Sequence, residues 1–205
     1  MKVVLVILII LLCLFVSCIG FENRIKINKD GSGEMEFTYR LSRMLLEYGN
    51  EEGSEEGETI DTPLPITEEE LAEEINSIEG VRLVSASQSE DENDIIISAV
   101  IEFDDVNKLQ DTETFSAWPI SLERKNGQTV YTQILTEGSG DDTESAEMME
   151  SFFEGYNLSL RIEAPSPIID FNYGELESTN VLLYSITIAE LFSMAEQEEL
   201  VVVWK

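Results

Sequence analysis

The stretch Arg24 to Leu41, RIKINKDGSGEMEFTYRL, constrains the fold more than any other part of the chain. Ile25 and Ile27 alternate with Arg24, Lys26 and Asn28, and Met35, Phe37, Tyr39 and Leu41 alternate with Glu34, Glu36, Thr38 and Arg40. A period of two places the apolar side chains on one face of a strand and the charged ones on the other. Asp30-Gly31-Ser32-Gly33 supplies turn residues between the runs. The spacing therefore predicts a β-hairpin with one buried and one solvated face. Arg24 and Lys26 are expected to face Glu34 and Glu36 across the strands, at modest gain.

Further along, TEEELAEEINSIEG predicts a helix with both ends marked. Thr67 and Glu70 form a capping box, the acidic first turn suits the helix dipole, and Gly80 marks the stop. Leu71, Ile75 and Ile78 make one apolar stripe. Strands are predicted at Val81–Ser87 and Ile95–Phe103, then a short helix carrying Val106 and Leu109. A similar order follows. Strands at Ile120–Lys125 and Thr129–Leu135 flank the turn Asn126-Gly127-Gln128, and a helix is read from Ser145 to Glu154. Strands at Asn157–Ala164 and Asn180–Ile186 come next. Thr187 and Glu190 then box a short helix ending near Met194, and a strand at Glu199–Trp204 closes the chain.

The expected fold class is α+β, mainly antiparallel sheets with helices packed on one face, in two repeated ββαββα units. Chance similarity of layout is the alternative to a true repeat. The expected division is 1–17 signal peptide, 18–23 anchored N-terminus and short tether, 24–112 first unit, 113–205 second unit. Residues 47–65 are acidic, Gly-rich and almost without apolar side chains, and read as a mobile loop. Their carboxylates lack the fixed spacing of a calcium loop.

Composition removes many chemistries. The chain has no histidine, which excludes Ser-His-Asp catalysis and most zinc sites. No phosphate-binding Gly-rich loop and no G-x-S-x-G motif is present. Among 42 acidic side chains some pair always falls at glycosidase separation, so a carboxylate-dependent hydrolase has no particular candidate residues. The sequence thus points to no catalytic residue, no metal ligand and no cofactor, and ligand-binding residues cannot be assigned from it. With 12 Lys and Arg against 42 Asp and Glu, the net charge is −30, which disfavours nucleic acid and electrostatic docking on anionic lipid. Trp118 and Trp204 stand at strand ends, where core packing is the ordinary role and lining of an apolar pocket the alternative.

The N-terminus carries the most specific signal. Lys2 precedes an apolar run from Val3 to Val16, the layout of a secretory signal and short for a membrane-spanning helix. Leu14-Phe15-Val16-Ser17-Cys18 resembles a bacterial lipobox, with Phe15 where leucine is usual. That resemblance implies cleavage after Ser17 and lipid attachment to the sulfur of Cys18. Cys13 is a poor rival because bulky Leu12 precedes it. An ordinary signal peptide and an uncleaved anchor are the competing readings. If Cys18 carries lipid, no disulfide can form and the fold rests on its core.

The order Ser17-Cys18, IKINKDGSGEMEFTYRL, a helix ending in EGV and a strand leading into IEFDDVNKL resembles bacterial lipoproteins with an LppM-like domain, over the first half to about Leu109. This implies an envelope lipoprotein with an α+β domain, anchored to the outer face of a plasma or outer membrane. Its expected role is non-enzymatic, binding an envelope protein or serving as a structural element. Carriage of an apolar ligand such as a lipid or glycolipid is the alternative. Members often carry a C-terminal membrane helix, and no second apolar run of spanning length is found here.

Overall fold

The computed structural model describes residues 19–43, 67–116, 118–138 and 155–205. The lipobox, with Ser17 and Cys18, lies outside them. So do the loop expected at 47–65 and the whole of the helix expected at 145–154.

The hairpin forms as its alternation requires. Strand β1 (Ile19–Ile27) pairs antiparallel with β2 (Gly33–Ser42), with Arg24 opposite Glu36 and Lys26 opposite Glu34. In the turn, Gly31 adopts φ +100°, and the Asp30 carboxylate accepts hydrogen bonds from the backbone and hydroxyl of Ser32. Those two bonds hold the Asp30 carboxyl below its ordinary range. Residues 19–23, expected as a tether, are instead part of β1. Phe21 faces the core, Ile19 pairs with β7, and Phe21 to Asn23 are paired on both sides.

Helix α1 (Glu68–Ser77) has the expected capping box, with Thr67 accepting from Glu70 N and the Glu70 side chain accepting from Thr67 N. Leu71 and Ile75 are buried, and α1 lies against β3 (Val81–Glu90). Strand β4 (Asp94–Phe103) inserts between β3 and β2. A 3-10 helix (Val106–Asp111) and the single turn α2 (Glu113–Ser116) follow. The Glu74 carboxylate of α1 accepts from Thr114 N and Oγ1 at 2.8 and 2.9 Å, satisfying the start of α2.

Strands β5 (Ile120–Lys125) and β6 (Gln128–Thr136) form a hairpin. Asn126 and Gly127 both have positive φ, as the right-handed twist of a two-residue hairpin loop demands. Strand β7 (Asn157–Glu163) then runs parallel to β1. Strands β8 (Ile168–Phe171) and β9 (Glu175–Ser178) were not foreseen from the sequence. They are four-residue edge strands with nearly every side chain exposed, so no alternation marks them. Strand β10 (Val181–Thr187), helix α3 (Ile188–Phe192) and β11 (Glu198–Trp204) complete the chain, and the second capping box at Thr187 and Glu190 is present.

The class is α+β with two mainly antiparallel sheets. One has the order β3-β4-β2-β1-β7-β10-β9, the other β5-β6-β11-β8. Strands from both halves of the sequence therefore share the larger sheet. The pairings differ between halves: β4 pairs with β2, whereas β10 pairs with β7 and β9, and β6 with β11. One apolar core joins the inner faces of both sheets with α1, the 3-10 helix and α2. Phe37 meets Phe115 edge-on at 5.1 Å, and Phe21 meets Trp118 at 4.8 Å. The outer face of the larger sheet is left to solvent and is the polar surface of interest.

Candidate functional site

The same period of two that buries Ile25 and Phe37 turns charged residues outward in rows across the larger sheet. Register places Glu36, Arg24, Arg161 and Leu183 in one row, and Glu34, Lys26, Glu163 and Val181 in the next. Toward the Ile19 end lies a row of Ser98, Thr38, Glu22, Ser159 and Ser185, where Thr38 Oγ1 and Ser98 Oγ are 2.8 Å apart. A cavity on this face, about 550 Å³, is lined by the charged groups of β1, β2 and β7 with Glu177 of β9.

Two arginines stand directly opposite each other here, Arg24 on β1 and Arg161 on β7. Like charges in register repel, and each is compensated from its own flank. Arg24 pairs with Glu22 at 2.6 Å, and Arg161 pairs with Glu177 at 2.9 Å and Glu163 at 3.6 Å. Lys26 reaches Glu163 at 3.8 Å. The expected partners Glu34 and Glu36 are thus in the expected register, yet the cations turn elsewhere. Arg24 turns along its own strand to Glu22, and Lys26 turns to a carboxylate that β7 brings beside it. Among the described residues Glu34 and Glu36 make no ion pair. Such a surface offers fixed donors and acceptors to a polar ligand or protein partner. Among the described residues no cluster of three or more His, Cys, Asp or Glu is placed to hold a metal ion.

A second polar cluster sits at the Ile19 end of the sheet. Register shifts between Ile19 and Phe21, leaving Gly20 as an extra residue in β1. The Tyr156 side chain passes over it. A Cβ at Gly20 would lie 2.9 Å from Tyr156 Cβ, so only glycine leaves room. Tyr156 Oη then donates to Asp94 Oδ1 at 2.5 Å. Arg40 spans Asp91 and Asp94, 3.5 Å from each, and Arg43 pairs with Glu90. The backbone amides of Asn93 and Asp94 donate to Asp91 and hold its carboxyl below the ordinary range.

The two tryptophans serve the core. Trp204 is buried, and Trp118 is partly buried against Phe21. Asn23, also buried, leaves its Oδ1 without a hydrogen bond. Ile169, Phe171, Tyr173 and Leu176 are large exposed side chains near the β8 and β9 edges, and Tyr173 Oη donates to Glu198 at 2.8 Å. That hydrogen bond, ahead of the neighbouring negative charge, raises the Tyr173 phenol above its ordinary value. Sequence reasoning missed the Arg24–Arg161 juxtaposition and the Tyr156–Asp94 contact. The one local signal was the unpaired glycine of Cys18-Ile19-Gly20-Phe21, which breaks the β1 pattern.

Among the described residues no helix is long and apolar enough to cross a membrane. No family model and no curated protein matches the chain. Among solved structures, it is similar to the NMR structure of the folded domain of the Mycobacterium tuberculosis LppM protein. The TM-score is 0.49 at 11% identity, over 93% of this chain and 92% of that one.

Proposed function

We propose that this chain is a non-enzymatic lipoprotein of the bacterial cell envelope, held on the outer face of a membrane by acyl chains on Cys18 and serving to bind a partner there. The observation that carries the reading is continuity. The lipobox-like Leu14-Phe15-Val16-Ser17-Cys18 runs without a spacer into β1, the middle strand of the larger sheet. A net charge of −30 gives no attraction to anionic headgroups, so attachment rests on lipid, and two or more chains are needed for stable anchoring. The concave outer face, polar and ion-paired, favours recognition of a polar partner. A carrier of lipid or glycolipid would need apolar room between sheets and helices, where Met35, Phe37, Tyr131 and Trp204 are buried instead.

Mass spectrometry of the mature N-terminus tests the proposal. A diacylglyceryl-modified Cys18 as first residue is expected, with membrane association lost in Cys18→Ala. An unmodified mature protein starting at another residue would remove the proposal.

A further inference from the structure

The place of β1 in the fold has a consequence for posture. Cys18 is one peptide bond from Ile19, about 3.8 Å between Cα atoms, and Ile19 is already in the sheet. No linker separates lipid from fold. Strand β1 is fourth of seven, with β3, β4 and β2 on one side and β7, β10 and β9 on the other. At about 4.8 Å per strand, roughly 14 Å of sheet flanks the anchor on the β2 side and roughly 10 Å on the β7 side, since β9 pairs with Val181–Leu183 toward the opposite end. Tilting in the plane of the sheet would drive one of these flanks into the headgroups.

The register identifies which of the described residues lie at this end. Ser42 pairs with Asp94, Glu90 with Ile95, and Thr187 with Asn157, which itself pairs with Ile19. The β3–β4 turn at Asp91–Asn93 extends past Asp94 and reaches farther along the strand axis than Ile19. It is fastened there by Arg43 N donating to Asn93 O at 2.8 Å, by Arg40 across Asp91 and Asp94, and by Tyr156 to Asp94. The Gly20 bulge is locked under Tyr156, so the first residues after the anchor cannot swing as a free hinge. The β1–β2 turn is at the opposite end. Arg124 donates to Lys29 O there, which puts the β5–β6 turn at that end too.

We infer that the larger sheet stands upright on the bilayer, with the Ile19 end and the β3–β4 turn meeting the lipid surface and the charged outer face parallel to the membrane normal. This rests on the lipid-anchor reading of Cys18. Arg24 is six residues beyond the anchor, which at about 3.3 Å per residue sets the Arg24–Arg161 row roughly 20 Å above the lipid. A phosphate or single-sugar headgroup in the same leaflet does not reach that row. Its partner therefore comes from the envelope space beside the membrane and not from the bilayer beneath.

Energy transfer to a headgroup-attached acceptor in phosphatidylcholine vesicles tests the posture, using the acylated full-length mature protein. Acylation consumes the Cys18 thiol, so Glu92→Cys in the β3–β4 turn and Lys125→Cys beside the β5–β6 turn each carry a single donor site. Transfer several-fold stronger from position 92 than from position 125 is expected, because β1 alone spans about 30 Å. Insertion of ten Gly and Ser residues between Cys18 and Ile19 is expected to erase the difference, since such a linker wanders over roughly 17 Å. Equal transfer from both positions in vesicle-bound, acylated protein overturns the posture and leaves the anchor standing. A difference that survives the insertion also overturns it, because the anchor would then not set the orientation. Protein that is unacylated and unbound removes the anchor and the posture together.

Discussion

Removing the Asp94 carboxylate tests whether the Ile19 end is held as the geometry says. Asp94 is buried at 6% exposure and accepts from Tyr156 Oη at 2.5 Å. A hydrogen bond to a charged group is worth about 1.5–3 kcal/mol, and a partly buried hydroxyl left short of an acceptor costs about 1–3 kcal/mol. The Arg40 contact at 3.5 Å is long, and Arg40 keeps Asp91, so its loss adds little. Because the Tyr156 site is half open, the lower part of each range applies, and Asp94→Ala should cost about 3 kcal/mol. For a chain of this size that lowers Tm by roughly 6–12 °C. The assay is thermal and urea unfolding of the detergent-solubilised protein, with Tyr156→Phe and the double variant completing a cycle. Tyr156→Phe alone should cost about 1–2 kcal/mol, and the double variant less than Asp94→Ala, because no hydroxyl is then left short of an acceptor. Single effects that add within about 0.5 kcal/mol would show that the two groups are not coupled and refute the reasoning.

Gly33→Ala tests the start of β2. Its Cβ would run into the Lys26 carbonyl oxygen and come within 2.6 Å of the Phe103 ring. The expected loss is about 2–3 kcal/mol, read as a lowered urea midpoint, and an unchanged midpoint would contradict this packing. Alkaline titration tests the interior. Burial raises the phenols of Tyr39 and Tyr131 above their ordinary value of 10.0. Raised folded-state values mean that their contribution to stability is intact below about pH 10 and is lost as pH rises through them. Of six tyrosines, these two should ionise at 295 nm only in step with loss of the far-UV signal. Ionisation of all six near pH 10 with the fold intact would count against the burial.

Local structure was legible wherever it depends on neighbours in sequence. The hairpin of Arg24 to Leu41, both threonine capping boxes and the Asn126-Gly127 turn came out as their residues require, because each is set by side-chain period, a short-range hydrogen bond or left-handed backbone. Strands β8 and β9 were illegible because an edge strand that buries almost nothing needs no apolar alternation. Arg24 and Lys26 face Glu36 and Glu34 as expected, yet their ion pairs form elsewhere. Lys26 has a second neighbouring strand, β7, that hairpin reasoning omits, and Arg24 finds Glu22 on its own strand. The Arg24–Arg161 pair and the Tyr156–Asp94 contact join positions far apart in the chain, and no periodic pattern encodes such meetings.

The sequence by itself determined the class of fold, the absence of histidine chemistry, the strong net negative charge, and the Ser17-Cys18 junction on which the lipoprotein reading rests. Those follow from composition and from interactions within a few residues. The tertiary structure decided that Ile19 opens the middle strand of a seven-stranded sheet, that β7 runs parallel beside it, and that the outer face gathers Arg24, Arg161 and the glutamates into one concavity. The physical reason is that strand order is chosen by burial of a shared core. Many strands have faces that would satisfy their own alternation equally well, and which strand lies beside β1 is settled when the whole apolar surface is covered at once.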